Sequence, residues 1–286
     1  MKFSVFFIIV LLIISCVKNN PDPAWLEVNE WSLIKNTESN EGTGELTHNF
    51  TEATVYVDNQ LIGIFEVPFK IPIIKNGPSN IKVFPTIKNN GISATKKAYP
   101  FTDFYEEDVV LEANKIVTIN PITKYKTNCK FWIEDFEDAS IKIENDQNSK
   151  TTISGSNDPA HLMYGNFFGK VSLTSENPEW LGFTSGQISL PRGKEVYLEI
   201  DYKNTSSLTT GLFGITATQT KSNVNVSLNA QPISDLKWKK IYIDLQEVVS
   251  YFNDAIYYAV SFRAILEAGM DNGEVYIDNV KLVYIQ

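Results

Sequence analysis

The sequence has few of the residues that build disulfide frameworks and metal centres. Of its 286 residues, only two are cysteine and two are histidine. A multi-histidine metal site is therefore improbable. If Cys16 carries lipid, as argued below, Cys129 has no partner for a disulfide or a cysteine-based metal site. We expect Cys129 to be a buried apolar residue.

Positive charge is also scarce. The chain has 25 lysines and arginines against 34 acidic residues, a formal net charge of -9. Such a surface repels nucleic acid and anionic lipid headgroups, so we expect no nucleic-acid partner. Attachment to a membrane would have to come from covalent lipid.

The start of the chain has the pattern of an export signal. Lys2 precedes an apolar run, Phe3 to Ile14, which is shorter than the roughly 20 residues of a membrane span. The segment Ile13-Ile14-Ser15-Cys16 resembles the lipobox of bacterial lipoproteins. That resemblance implies that residues 1–15 are a signal peptide and that Cys16 carries lipid such as palmitate. It also implies an outer-membrane location, on the periplasmic face or the cell surface.

Residues 16–23 contain two prolines and are predicted to be a lipidated tether. From residue 24 to 126 the pattern is one of short strands and turns. The alternating segments 53–57 and 61–67, joined by Asp58-Asn59-Gln60, predict a hairpin. Four prolines, Pro68, Pro72, Pro78 and Pro85, are expected at sheet edges and in loops. Together these signals predict a small β-sandwich.

The hairpin also carries a resemblance. Val55-Tyr56-Val57-Asp58-Asn59-Gln60-Leu61-Ile62-Gly63, followed by Val67-Pro68-Phe69, is similar to the PEGA-type β modules of bacterial envelope proteins. Together with the segments 45–48, 89–95 and 99–101, the region also resembles the front of a family of outer-membrane lipoproteins. These resemblances imply an architecture and no particular chemistry.

A proline and several turn formers in residues 120–128 predict a domain boundary. The second domain, residues 130–286, has alternating strands such as 195–202 and 239–245. One alternate set of each is apolar, which predicts a sheet with one face in water. A single helical turn is expected at 246–252.

The order of short motifs in this domain resembles the galactose-binding-like jelly rolls that serve as carbohydrate-binding modules. The matching pieces are Asp135-Phe136-Glu137, residues 191–204, Trp238-Lys239-Lys240-Ile241-Tyr242 and Tyr276-Ile277-Asp278-Asn279-Val280. The predicted fold class is therefore all-β, an N-terminal small β-sandwich followed by a C-terminal jelly-roll sandwich.

The resemblance further implies a structural calcium ion between the first and last strands. The matching ligand positions are Glu137 and Asp278, with Asp135 as a third, and Ca²⁺ takes six to eight oxygen ligands. The alternative interpretation is that residues 134–138 are a solvated acidic turn.

Candidate sugar-binding residues are the aromatics of the turn-rich segment between Gly155 and Gly186. Sugars stack on exposed aromatic faces, and Trp180, Tyr164 and Phe167 are the candidate ligand-binding residues, with Trp180 the preferred platform. Phe168 lies in the same segment. Burial in a core is the competing interpretation for each of them.

No motif of a hydrolase, metalloprotease or nucleotide-binding enzyme occurs, and a catalytic carboxylate pair cannot be selected from the sequence. We therefore predict a non-catalytic envelope lipoprotein that binds glycan. The alternatives are a structural subunit docked on an outer-membrane protein complex, for secretion or surface motility, and, more weakly, a glycoside hydrolase.

Overall fold

The computed structural model describes residues 21–286, whose regular secondary structure is almost entirely β-strand, which confirms the predicted all-β class. The predicted signal peptide, Cys16 and the first part of the tether lie outside the described residues. No helix among residues 21–286 has the length and hydropathy needed to cross a membrane.

The N-terminal module contains ten strands. They are β1 (Ala24–Val28), β2 (Ser32–Leu33), β3 (Glu52–Val57), β4 (Gln60–Glu66), β5 (Phe69–Ile73), β6 (Gly77–Lys88), β7 (Lys96–Ala98), β8 (Tyr105–Leu111), β9 (Ile116–Ile119) and β10 (Ile122–Thr123).

The C-terminal sandwich contains the remaining eleven described strands and one helix. They are β11 (Cys129–Glu134), β12 (Ile143–Asn145), β13 (Ile153–Ser156), β14 (Phe168–Thr174), β15 (Glu179–Thr184), β16 (Val196–Asn204), β17 (Ser207–Ile215), β18 (Thr220–Leu228), β19 (Lys239–Asp244), α1 (Gln246–Tyr251), β20 (Tyr257–Ile265) and β21 (Asn272–Ile285), with a 3-10 turn at Ile233–Asp235.

Two local predictions are confirmed. Strands β3 and β4 form the expected hairpin, and Asp58 and Asn59 at its turn have φ of 49° and 63°. Asn and Asp tolerate this left-handed conformation better than most residues, which explains why they occupy the turn. The α-helix α1, the only one among residues 21–286, lies within the predicted segment.

The expectation for Pro85 is wrong, because this proline lies inside β6, an internal strand. Strand β6 pairs with β3 on one side, and on the other side with β8 up to Val83 and with β7 from Thr86. Pro85 lies where the partner changes from β8 to β7, so its missing N–H interrupts no continuous ladder on that side.

The strands of the C-terminal sandwich form two sheets. One has the order β13-β14-β21-β16-β19, with β11 also paired to β21; the other has the order β12-β15-β20-β17-β18. We call the first the covered sheet and the second the open sheet. Their inner faces pack a continuous apolar core that includes Leu198, Leu212 and Val260.

The N-terminal module packs on the outer face of the covered sheet. Tyr197, Tyr242 and Val283 from that face belong to the same apolar cluster as the core of the module. The prediction that β16 and β19 have one face in water is therefore wrong, since Glu199 and Asp201 on that face are 0% and 1% exposed. Cys129 is buried in this shared core, as expected.

Candidate functional site

The outer face of the open sheet is formed by every second residue of its strands. In β15, Trp180 and Gly182 are buried, whereas Leu181 and Phe183 are half-buried. Successive side chains of a strand point to opposite faces, so the half-buried set faces outward. The outer face bounds a groove of about 460 Å³ lined by Leu181, Phe183, Thr209, Gly211, Phe213, Ser222, Asn223, Val224, Ser227, Ser261 and Arg263, among others.

Gly211 on β17 lies in the floor of this groove and is closely packed. In the sheet register, Gly211 lies between Ser261 on β20 and Val224 on β18. A Cβ atom at position 211 would lie 2.5 Å from the Asn223 carbonyl oxygen and 2.6 Å from the Ser261 Oγ. Real Cβ atoms do not approach other atoms so closely, so only glycine fits here, buried beneath the Asn223 carbonyl and the Ser261 hydroxyl.

Two phenylalanines flank this floor. Phe183 on β15 and Phe213 on β17 lie on either side of β20, and both are half-buried. Neighbouring strands are about 4.8 Å apart, so two strand spacings separate the two residues by about 10 Å across the strands, and the register offsets them by two residues along the strands. Two apolar surfaces at this separation suit an extended ligand better than a single small ring.

Polar groups complete the groove. The Arg263 Nε donates to Glu179 Oε1 at 2.7 Å, and the Thr209 and Ser227 hydroxyls lie 2.9 Å apart. The Arg263 side chain is 55% exposed in its ion pair, so it remains accessible from the groove. Guanidinium and hydroxyl groups of this kind can donate to the hydroxyl oxygens of a ligand, and the hydroxyls can also accept.

The outer face of the covered sheet has the opposite character. Lys240 Nζ lies 2.9 Å from Glu199 Oε2 and 3.6 Å from Asp201 Oδ1, and all three residues are buried. Three hydroxyls of the N-terminal module complete the network. Tyr99 and Tyr125 donate to Glu199 Oε1, the latter at 2.9 Å, and Thr47 donates to Asp201 Oδ2 at 2.6 Å. Every charge in this network has a partner, as burial requires.

The network also shifts the pKa of its members. Burial alone would raise the pKa of Glu199, but Lys240 and Lys281 outweigh it, so the pKa lies below the usual glutamate value. Burial, reinforced by the neighbouring Lys240 charge, lowers the pKa of Lys281 to about 8. The Lys281 ammonium donates to the Glu45 carbonyl oxygen of the N-terminal module. This face is therefore a structural interface.

The prediction that Trp180 is an exposed platform is wrong. Its side chain is 0% exposed, stacks on Phe262 at 5.9 Å between ring centroids, and donates from Nε1 to Asn145 Oδ1 at 2.9 Å. It lies across Gly182, where a Cβ would be 2.5 Å from its ring. Trp180 belongs to the core, and its neighbours Leu181 and Phe183 face the groove.

The other two predicted aromatics are exposed but lie elsewhere. Tyr164 is 45% exposed and lines a different cleft, at the junction of the N-terminal module with the sandwich. Phe167 is 39% exposed, and its backbone N–H donates to Glu137 Oε1 at 2.9 Å. Neither lines the groove of the open sheet. Phe168 is fully buried.

In the structure, the predicted calcium ligands Glu137, Asp278 and Asp135 are not grouped as a set of metal ligands. The Glu137 carboxylate instead accepts from Phe167 N and from Asn166 N and Nδ2, at 2.6 to 2.9 Å. Within residues 21–286, no three His, Cys, Asp or Glu side chains are grouped so that they could hold a metal ion. The calcium ion stays a prediction.

Two buried polar residues lie next to each other in β21, Asp278 and Asn279. Burial raises the pKa of Asp278 to about 8, with the Asp201, Asp135 and Glu137 carboxylates adding to the effect against a hydrogen bond from Asn279 N. Both amide atoms of Asn279 are buried without a protein partner. A water can satisfy both amide atoms, whereas a cation could be bound only by the Asn279 Oδ1 and the Asp278 carboxylate.

The groove residues were missed by the sequence reasoning. Phe183 lies in Glu179-Trp180-Leu181-Gly182-Phe183-Thr184, where large apolar residues occur at both odd and even positions of the strand. Alternation therefore does not show which set faces out. The one usable signal is Gly182, because a glycine two residues after a tryptophan leaves room for that ring on the same face.

Several solved structures resemble this chain at low sequence identity. A structure from a study of promiscuous specificity in carbohydrate-binding modules of the β-sandwich superfamily has a TM-score of 0.39 and 14% identity, over 81% of this chain and 84% of its own. A carbohydrate-binding module specific for non-crystalline cellulose has a TM-score of 0.36 and 14% identity, over 51% of this chain and 90% of its own.

A third is the enzymatically active domain of a tailspike protein of bacteriophage CBA120, with a TM-score of 0.34 and 11% identity, over 56% of this chain and 20% of its own. No protein-family model matches the sequence, and no curated protein matches it either. The assignment of a ligand therefore depends on the groove itself.

Proposed function

We propose that this protein binds a neutral oligosaccharide in the groove of the open sheet, without catalysis. The observation that carries the proposal is that two half-buried phenylalanines, Phe183 and Phe213, line one groove on either side of β20. Aromatic rings pack on the C–H faces of sugars, and the flanking hydroxyl and guanidinium groups can bind sugar hydroxyls.

The charges of the groove favour a neutral ligand. Arg263 is compensated by Glu179, and Asp146 at the groove wall accepts from Asn148 N at 2.8 Å within its own loop. The lining therefore presents hydrogen-bonding groups without an excess of either sign. A ligand rich in hydroxyls matches such a surface better than an ion does.

The proposed location is the outer membrane, with attachment through lipid on Cys16. The lipobox resemblance and the net charge of -9 support this, because an acidic protein needs covalent lipid to stay on an anionic bilayer. Labelling of expressing cells with an alkyne fatty acid tests it, and Cys16→Ala should abolish the label.

The binding proposal is tested with a glycan array of the purified protein. Phe183→Ala and Phe213→Ala should each weaken the affinity for an array hit by about two- to tenfold, the usual worth of one aromatic contact. Tyr164→Ala, in the other cleft, is the matched control and should leave that affinity unchanged. An array without hits, or equal losses in all three variants, contradicts the proposal.

A second candidate function, docking to an outer-membrane protein, is favoured by a different surface. On the N-terminal module, Leu61, Ile64 and Phe104 are 54%, 39% and 42% exposed, and Phe104 stacks on Phe84 at 4.7 Å. Exposed apolar groups of this kind often mark protein interfaces. Capture of one outer-membrane protein in a pull-down, lost in Ile64→Asp, would support docking.

A further inference from the structure

A second cleft, of about 440 Å³, lies at the junction of the N-terminal module with the C-terminal sandwich. Its walls come from both parts of the chain. The module contributes His48, Asn49 and Lys88, and the sandwich contributes Tyr164, Tyr202, Trp238 and Lys239, among others. We call it the junction cleft.

The junction cleft is positively charged in a protein that is negative overall. Four lysines and one acidic residue line it; Lys240 is buried and paired with Glu199 and Asp201, which leaves Lys88, Lys237 and Lys239 on the accessible part of the lining. Asp201 is 1% exposed and already interacts with Thr47 and Lys240. The acidic residue therefore does not compensate the lysines at the mouth of the cleft.

Two of these lysines have no acidic partner. Among the described residues, neither Lys88 nor Lys239 lies within 4.0 Å of a carboxylate, whereas Lys237 pairs with Asp235 at 3.2 Å on the surface. Lys88 comes from β6 of the module and Lys239 from β19 of the sandwich. Packing the two parts together therefore brings two uncompensated cations to one cleft, and an anion between them would relieve their repulsion.

Aromatic groups lie beside these cations. Trp238 is held in place, since its Nε1 donates to the His161 carbonyl oxygen at 2.8 Å and its ring meets Phe168 edge-on at 6.1 Å. Tyr164 is 45% exposed at the same cleft. A fixed indole and an exposed phenol offer flat apolar surfaces next to positive charge.

We propose that the junction cleft binds an acidic sugar, a saccharide unit that carries a carboxylate or a sulfate. The lysines would pair with the acidic group, and the aromatic rings would contact the face of the sugar ring. A polyanion such as nucleic acid fits less well, because the net charge of -9 repels a long charged chain outside the cleft. This site is separate from the groove of the open sheet. The acidic-sugar proposal therefore does not depend on the neutral-glycan proposal.

The experiment is an isothermal titration of the purified protein at 50 mM NaCl with trigalacturonate, sulfated galactotriose and trigalacturonate methyl ester. The ester has the same backbone without charge. Binding by trigalacturonate alone identifies the carboxylate as the acidic group, and binding by the sulfated sugar alone identifies the sulfate. Either result supports the proposal, provided that the ester binds at least about tenfold more weakly, as expected when a charge-assisted contact is lost.

Variants locate the binding. Lys88→Gln and Lys239→Gln should each weaken the affinity by about two- to fivefold, as for a partly exposed ion pair. Lys194→Gln is the matched control, since Lys194 is exposed, lines none of the clefts described here and has no acidic partner within 4.0 Å among residues 21–286. Tyr164→Ala should weaken binding by about two- to tenfold. Circular dichroism confirms that each variant is folded.

Three outcomes would overturn the proposal. The first is equal affinity for the acid and its methyl ester. The second is an equal loss in Lys194→Gln and in the cleft variants. The third is binding of single-stranded DNA or polyglutamate, dependent on Lys88 and Lys239, with no binding of either acidic sugar.

Discussion

The two sheets of the C-terminal sandwich have similar inner faces and contrasting outer faces. On the covered sheet, Glu199, Asp201 and Lys240 are buried under the N-terminal module. On the open sheet, Phe183, Phe213 and Arg263 line a groove. Charged residues therefore have different roles on the two faces. On the covered sheet they join two parts of the chain, and on the open sheet they are available to a ligand.

The largest expected effect is on the covered face. Lys240→Met leaves Glu199 and Asp201 buried without their cation, which should lower the free energy of unfolding by about 3–5 kcal/mol. Arg263→Met on the open face breaks an exposed ion pair and should cost about 1 kcal/mol or less. Urea denaturation of both variants measures the contrast, and equal losses would show that the two faces do not differ.

The pH dependence of stability should also come from the covered face. Lys281 has a pKa of about 8 in the folded protein, below its ordinary value of 10.5. Between these values the unfolded chain binds more protons at this lysine, so its contribution to stability rises with pH. From about pH 9 the Cys129 thiol, whose pKa burial raises to about 12, acts in the opposite direction.

The contribution of Lys281 to the pH dependence of stability can therefore be measured between pH 8 and 9. There the slope of unfolding free energy against pH should be more positive in the wild type than in Lys281→Met, by about 1 kcal/mol per pH unit. Urea melts at several pH values within the window measure both slopes. Parallel slopes would mean that Lys281 is not a neutral buried amine.

A smaller loss of stability than that of Lys240→Met is expected from a substitution in the floor of the groove. Gly211→Ala places a methyl group against the Asn223 carbonyl and the Ser261 hydroxyl, so β18 must shift. We expect about 1–3 kcal/mol of destabilisation, as for other overpacked sites, together with weaker glycan binding. Gly42→Ala, where nothing lies within 4 Å of the Cβ position and φ is not positive, controls for the loss of a glycine alone. Unchanged glycan affinity in Gly211→Ala would count against this part of the groove floor as a binding feature.

The smallest effect concerns calcium. If calcium binds near Asp278, adding it to chelator-treated protein should raise the melting temperature of the wild type by a few degrees, following the linkage between binding and folding. Asp278→Asn should abolish the shift. If the wild type itself shows no shift, calcium is not a ligand of this protein.

Much of the fold could be predicted because it depends on local patterns. The Asp58-Asn59 turn fixes the β3–β4 hairpin, and alternation identifies β16 and β19 as strands. Alternation does not predict which part of the chain, if any, covers the polar face of a sheet. Glu199 and Asp201 have the pattern of a wet face, yet Tyr99, Tyr125 and Thr47, distant in sequence, bury them.

The groove could be predicted less well than the fold. Strand β15 has apolar residues at both parities, so the sequence does not distinguish Trp180 in the core from Phe183 at the surface. Phe213 is separated from Phe183 by thirty positions and by β20 between them in the sheet. Their pairing across one groove depends on strand order, which no local pattern encodes. Tyr164 is exposed, but the cleft that it lines also needs Lys88 from the other part of the chain.

We propose that the open sheet binds a neutral glycan, whereas the covered sheet packs against the N-terminal module. The most direct measurement is a titration of the ¹⁵N-labelled protein with a neutral oligosaccharide selected on the array, followed by amide NMR. We expect saturable shifts concentrated in Phe183, Phe213 and Asn223 and their strand neighbours, with Glu199 and Tyr242 unmoved. Shifts confined to the covered sheet or to the junction cleft, or no shifts at all, would contradict it.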